Sequence, residues 1–276
     1  MTTFIDFCRL HDVIIDTLPP VGVWKRYKTV DKPMHRNGAV KYMGTHGFVQ
    51  NHATAVEVSL WQDTGMTKIA RQEVSRIALE ASRETIRMNA QAADKAGHML
   101  RQCRVTTHAY LAAKGFPDEV ANVLDTDNGP LCLIPMRIGR DVVGVQQISE
   151  SGDKKFLYGQ RSGHAQFVLG GSGPHYLTEG YATALSARQA LGNLKRKFTL
   201  HVCFSAGNMV KVASALQGGV ILADNDASGT GERVAKQIGW PYWMSPSVGE
   251  DFNDFAQRVG TFAAAQSLGK VRAPMS

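Results

Sequence analysis

Two aspartates spaced i, i+2, Asp224 and Asp226, stand at the end of an apolar run, Gly219-Val220-Ile221-Leu222-Ala223. Side chains two apart on an extended chain leave on the same side. Both acids can therefore point together at the carboxyl end of a buried strand, where open α/β sheets place their ligands. Carboxylates about 4 Å apart repel by about 4 kcal/mol at an effective dielectric of 20, and a shared divalent cation relieves that repulsion. Ser228, Gly229 and Gly231 allow a tight turn and close backbone approach to a ligand, and a helical pattern follows from Glu232. A plain solvated turn is the competing reading, because Asp, Asn and Gly favour turns anyway. A further acid weighs against it. Glu179 closes a second short strand, His175-Tyr176-Leu177-Thr178, and precedes Gly180 and a helix start. A Glu at one strand end and an Asp-x-Asp at another make a cluster of hard oxygens suited to Mg²⁺ or Mn²⁺.

The elements that must position these acids follow from the pattern around them. A helix is expected from Tyr181 to Leu191, a strand over residues 198–204, a helix opened by Ser205-Ala206-Gly207-Asn208, and another running through Ile238. Free amides at Ser205-Ala206-Gly207 could hold an anion. Alternating strands and helices predict an α/β fold with a mostly parallel sheet flanked by helices. Asp251 and Asp254 lie at the start of a last helix, where an acid ordinarily caps. Upstream, Leu131–Arg137 and Val142–Ile148 read as a hairpin turned by Gly139-Arg140-Asp141. Lys154-Lys155 then reads, on its own, as an exposed pair. Residues 67–104 are rich in good helix formers and read as a charged helix bridging two modules. Residues 22–61 read as a small β-rich unit in which Trp24, Arg26, Tyr27, Lys28, Lys41 and Phe48 interleave bases and aromatics. Aromatics stack on nucleobases and basic side chains track phosphates; a small sheet with a solvated basic face is the alternative.

The chain has 276 residues and a formal net charge of +7, which favours a polyanionic partner. No long uncharged apolar stretch could span a bilayer, and Asp6 and Arg9 spoil the N-terminus as a signal peptide. Cys8, Cys103, Cys132 and Cys203 are far apart with no Cys-x-x-Cys pair. Reduced core thiols in the cytoplasm are expected, and no zinc site.

Glu179-Gly180 and Asp224-x-Asp226-x-x-Gly229, in that order, resemble the Toprim domain of primases, topoisomerases and related nucleases. Gly249-Glu250-Asp251-Phe252-Asn253-Asp254 resembles the acidic stretch that follows in bacterial and phage primases. Tyr110-Leu111 with Lys114-Gly115, the hairpin, and Lys154-Lys155-Phe156-Leu157-Tyr158 are similar in order to elements of the primase core. Residues 28–51 are similar to the N-terminal region of Toprim primases carried by phages and plasmids. Gln147 stands where that family usually has Arg, and the N-terminal zinc module of many primases has no counterpart.

The resemblance implies a Toprim-type sheet with a smaller α+β N-terminal module. Its divisions would be a basic module (1–65), a helical connector (66–118), a nucleotide-side α+β subdomain (119–170), a Toprim domain (171–260) and a loosely held tail (261–276). It implies a nucleotidyltransferase, a DNA primase making short oligonucleotides from nucleoside triphosphates on single-stranded DNA. Asp224, Asp226 and Asp251 would hold Mg²⁺ or Mn²⁺ as a two-ion site, with Glu179 a ligand or an acid–base group. Arg137 and Lys155 would meet the nucleotide, and Trp24, Arg26, Lys28 and Lys41 the DNA. A separate replicative helicase would be the partner, since no Gly-x-x-x-x-Gly-Lys-Ser/Thr loop is present; no membrane is implicated, and phage or plasmid origin is plausible. A Toprim nuclease using the same acids and a non-catalytic single-strand-binding replication protein are the alternatives.

Overall fold

The computed structural model of the chain describes residues 2–52, 54, 58–63 and 68–272, with residues 68–71 described by their backbone. The fold is mixed α/β. The described residues form eight helices and three sheets, and most strand pairings are antiparallel. The chain divides into two compact units, residues 1–87 and 88–276.

In the first unit, helix α1 (Phe4–Leu10) precedes strands β1 (Trp24–Tyr27), β2 (Gly38–Tyr42), β3 (His46–Asn51) and β4 (Ser59–Gln62). They pair in sequence order as an antiparallel sheet. Strand alternation sends Val40 and Val49 to one face, where they pack with Phe4 and Cys8 of α1 and with Val13 and Ile15. A side chain at Gly47 would collide with the Phe4 ring, its Cβ only 2.2 Å away, so glycine there lets α1 lie close on the sheet. Helix α2 (Lys68–Arg101) runs through the unit boundary. Its first half carries short-range ion pairs such as Arg76 with Glu73 and Glu80, as expected of a solvated charged helix.

In the second unit, β5 (Arg104–Thr106), helix α3 (Ala109–Ala113), β6 (Ala121–Leu124), β7 (Leu131–Ile138), β8 (Asp141–Ile148) and β9 (Lys154–Phe156) lead into a second antiparallel sheet of order β5-β6-β7-β8-β9. The remaining elements are β10 (Phe167–Gly170), β11 (His175–Thr178), α4 (Tyr181–Asn193), β12 (Thr199–Val202), α5 (Ala206–Ala213), β13 (Gly219–Ala223), α6 (Thr230–Ile238), β14 (Tyr242–Met244), α7 (Phe252–Val259) and α8 (Thr261–Gly269). The third sheet has order β10-β12-β11-β13-β14. Strands β12, β11, β13 and β14 are mutually parallel, and β10 is an antiparallel edge. The expected mostly parallel sheet is thus one of three, and its edge strand β10 precedes residue 171, where the sequence reading began this domain.

Every residue of β12 and β13 is buried, which matches a strand covered on both faces. Tyr176, Leu200, Val220 and Leu222 form a core with Trp243, Phe252 and Phe255 and with Ala187, Ala190 and Leu191 of α4. Residues 261–269, read from sequence as part of a loose tail, are a helix in this core. Ala264, Ala265 and Leu268 are buried in it, the small alanines allowing α8 to lie close against α4. The antiparallel sheet packs on the opposite side of α4, through Cys132, Ile134, Met136 and Ile148 against Tyr181, Ala182, Ala184 and Leu185.

Candidate active site

Strand order makes the site before any side chain is considered. From β11 the chain goes to β12 on one side, then returns past β11 to β13 on the other. Such a reversal opens a crevice at the carboxyl ends of the two strands that flank it, here β11 and β13. Thr178 pairs in register with Leu222, so Glu179 and Asp224 emerge from adjacent parallel strands within about a residue of the same level. β13 ends at Ala223, so Asp224 and Asp226 lie just past the strand, ahead of the turn at Ala227-Ser228.

Asp226 turns toward the start of α6. Its Oδ1 accepts from the Ser228 amide at 2.8 Å and the Thr230 amide at 3.4 Å, and its Oδ2 from the Gly231 amide at 3.2 Å. The Ser228 hydroxyl also donates to it. Burial pushes this carboxyl up, but those hydrogen bonds outweigh burial and leave it below its ordinary value. Asp226 is thus held ionised by free amides at a helix start.

Asp224 has the opposite surroundings. Its Oδ1 is buried and finds no hydrogen-bond partner among the described residues. Burial first, then the charges of Glu179 and Asp251, push its carboxyl up to about 7, with Lys154 opposing. Gly231 stands directly against it, since a Cβ there would lie 2.1 Å from the Asp224 carbonyl oxygen. Burial likewise raises the Glu179 carboxyl, while Lys154 and the Ala206 amide at the start of α5 oppose it and Asp226 adds to it. Of the Ser205-Ala206-Gly207 amides expected to hold an anion, that of Ala206 meets the chain's own Glu179.

Asp251 is the N-cap of α7. Its Oδ1 accepts from the Asp254 amide at 2.8 Å and its Oδ2 from the Thr183 hydroxyl at 3.0 Å. Asp254 completes a capping box and pairs with Lys114 at 3.2 Å, so it has structural partners of its own. Asn225, between the two aspartates, ties the loop before Asp251 to the site. Its amide donates to the Glu250 carbonyl at 3.2 Å, its carbonyl accepts from the Gly249 amide at 2.6 Å, and its Nδ2 donates to the Ser245 carbonyl at 2.9 Å. Sequence reading did not single out Asn225. Its position inside Asp-x-Asp was the only available signal.

As they stand, no three carboxylate, histidine or cysteine side chains among the described residues form a ready-made metal cage. The donor set nonetheless fits a hard divalent cation. It consists of Asp224 and Glu179, each raised in part by neighbouring carboxylate charge from this group of Glu179, Asp226 and Asp251, with a buried and unsatisfied oxygen on Asp224.

The basic residues divide. Lys154 lies opposite Ile148, and Lys155 opposite Gln147. Alternation puts Lys154 and Phe156 on the sheet face shared with Ile148 and Gln146, though both stay exposed at the edge, and Phe156 meets Phe204 edge-on at 6.5 Å. Phe204 follows β12 with φ of 66°, a left-handed conformation rare for a bulky residue, and its amide donates to the Glu179 carbonyl at 2.9 Å. Lys155 takes the other side of β9. Arg137 is four residues further along β7 than Leu133, the residue level with Gln147 and Lys155. That is about 13 Å at strand rise, and its Nη1 donates to the Arg140 carbonyl at 2.8 Å. The structure does not bring Arg137 and Lys155 together.

In the first unit, Trp24, Lys41, Phe48 and Leu60 stand in one row across the sheet, on the face away from α1. Trp24 is 47% exposed and approaches Phe48 at 6.2 Å between ring centroids. Arg26 shares that face by alternation, and Lys28 is exposed just beyond β1.

Comparison with protein-family models, with characterised proteins and with solved structures returned no match. No helix among the described residues is long and apolar enough to cross a membrane.

Proposed function

We propose that this chain is a Toprim-type DNA primase, a divalent-metal-dependent nucleotidyltransferase that builds short primers on single-stranded DNA. One observation carries the reading. Asp224 has a buried, unsatisfied carboxylate oxygen at the β11/β13 crevice, grouped with Glu179, Asp226 and Asp251. A buried carboxylate without a partner is costly, and such costs are tolerated where a ligand offsets them. The parallel order β12-β11-β13-β14 supports the Toprim reading of this half of the chain.

Asp224, Asp226 and Asp251, with Glu179 beside them, would hold Mg²⁺ or Mn²⁺. Such ions, when bound, supply positive charge to the primer 3′-hydroxyl and the attacked phosphate. The α6 amides keep Asp226 ionised, and Asn225 keeps the Asp251 loop against the site. Glu179, with its raised carboxyl, suits either a ligand or a group that takes a proton. Lys155 would meet the triphosphate from β9, with Arg137 further along the hairpin. The row of Trp24, Lys41 and Phe48, with Arg26 and Lys28, would receive template. Unwinding would fall to a separate helicase.

Incubating the protein with a single-stranded template, labelled nucleotides and Mg²⁺ or Mn²⁺ tests the proposal. New labelled oligonucleotides are expected. Shortened template would instead make it a nuclease, and a mobility shift alone a binding protein.

A further inference from the structure

The Lys154 ammonium lies 3.9 Å from where a Cβ on Gly180 would stand, beside Glu179. It reaches there because β9 pairs Lys154 with fully buried Ile148, which puts this lysine on the sheet face that Ile148 occupies, at the exposed edge strand. Phe156, two residues on, shares that side and is fixed against Phe204. No nitrogen of Lys154 forms an ion pair within 4.0 Å of a carboxylate among the described pairs, yet its charge is felt at both Glu179 and Asp224. It is the basic side chain that acts on both of these acids.

We propose that Lys154 is a built-in counter-cation of the acidic site, one that offsets carboxylate repulsion without metal and is displaced when a divalent ion enters. The inference rests on the metal-site reading above and deepens it by giving the site a regulated occupancy. An ammonium on a flexible four-carbon stem suits this task, since it is a compact point charge that can swing to solvent. Lys154 is an exposed residue on the edge strand β9, so a path outward is open. The role also separates the two adjacent lysines. Lys154 competes with metal, and Lys155, on the other side of the strand, stays available to a nucleotide.

Competition has a consequence opposite to phosphate binding. Removing the Lys154 charge raises the negative potential at the acids, so metal binds more tightly, on the order of tenfold for one charge at this range. The test is calorimetric titration of the full chain with Mn²⁺ alone, comparing wild type, Lys154→Met and Lys154→Arg, with thermal melts in chelator and in Mn²⁺. The expected result is tighter Mn²⁺ binding and a larger metal-induced rise in melting temperature for Lys154→Met, with Lys154→Arg close to wild type. Equal or weaker Mn²⁺ binding by a folded Lys154→Met variant overturns the counter-cation role and leaves the metal site standing. If neither wild type nor Lys154→Met binds Mn²⁺, the metal-site reading falls and this inference with it. If only Lys154→Met binds, competition is supported in its strongest form.

Discussion

Replacing Asp224 by Asn keeps the shape of the side chain and removes its charge, and the surroundings of Asp224 set the sign of the effect. Its carboxyl is raised from 3.8 to about 7. Below about pH 4 the group is protonated in both folded and unfolded chains and contributes nothing to pH dependence. As pH rises toward 7, the unfolded chain gives up its proton while the folded chain holds it. Stability therefore falls across this window, and the loss is complete above about pH 7. A shift of about three pH units at 1.36 kcal/mol each bounds the penalty at about 4 kcal/mol. Asp224→Asn should remove much of it. In chelator at pH 8.5 the variant is expected to melt higher than wild type by up to about 8–16 °C, using about 2–4 °C per kcal/mol for a unit of this size. At pH 4.5 the difference should shrink toward zero. Added Mg²⁺ should reverse the ranking, since a ligand that binds the folded state stabilises it by RT ln(1 + [L]/Kd). Melts of both proteins at the two pH values, with and without Mg²⁺, check every part of this. A variant equally destabilised at both pH values in chelator would refute the reasoning, because it would make the Asp224 carboxylate a satisfied structural group.

Further expectations follow from neighbouring contacts. Gly231→Ala would place a Cβ 2.1 Å from the Asp224 carbonyl oxygen; overpacking of this kind costs about 1–3 kcal/mol, so a lower urea midpoint and a weaker Mg²⁺ response are expected, and an unchanged midpoint would mean that α6 shifts freely. Asn225→Ala removes the 2.9 Å bond to the Ser245 carbonyl and should cost about 1–2 kcal/mol in urea unfolding, with Mn²⁺ binding close to wild type because the backbone bonds from residue 225 to Gly249 and Glu250 remain. In the first unit, the double variant Lys28→Ala, Lys41→Ala should reduce the slope of log K against log salt for single-stranded DNA by about 1.4, at about 0.7 per lost phosphate contact; an unchanged slope would remove this face from the DNA path.

Strands β11, β12 and β13 and helices α4, α5 and α6 were legible because each carries its own local signal, whereas the three-residue β14 was not read. The apolar run 219–223 has strand length, and small residues follow Asp226 where the chain must turn. The hairpin of β7 and β8 was visible in the turn at Gly139, which has φ of 60°. Three features were hidden because they depend on partners distant in sequence. β10 is four residues ending in Gly170 before Gly171, and its strand character comes from pairing with β12. Helix α8 looked like a tail because alanines signal little by themselves, and only the approach of α4 shows why they are small. Which lysine of Lys154-Lys155 faces the acids is a matter of register, fixed by pairing with Ile148, and the order of motifs pointed to its neighbour. The acids themselves were legible as types and spacing. Their unlike states were not, since Asp226 is satisfied by α6 amides and Asp224 is left with an orphaned oxygen by packing.

The central claim is that the acids at the β11/β13 crevice hold metal for nucleotide transfer. It is tested most directly by supplying a circular single-stranded template and labelled nucleotides with Mn²⁺ to wild type and to the double variant Asp224→Asn, Asp226→Asn. Labelled oligonucleotides from wild type, and none from a folded double variant, are the predicted result. Synthesis by the double variant, or shortened template and no synthesis by wild type, would contradict it.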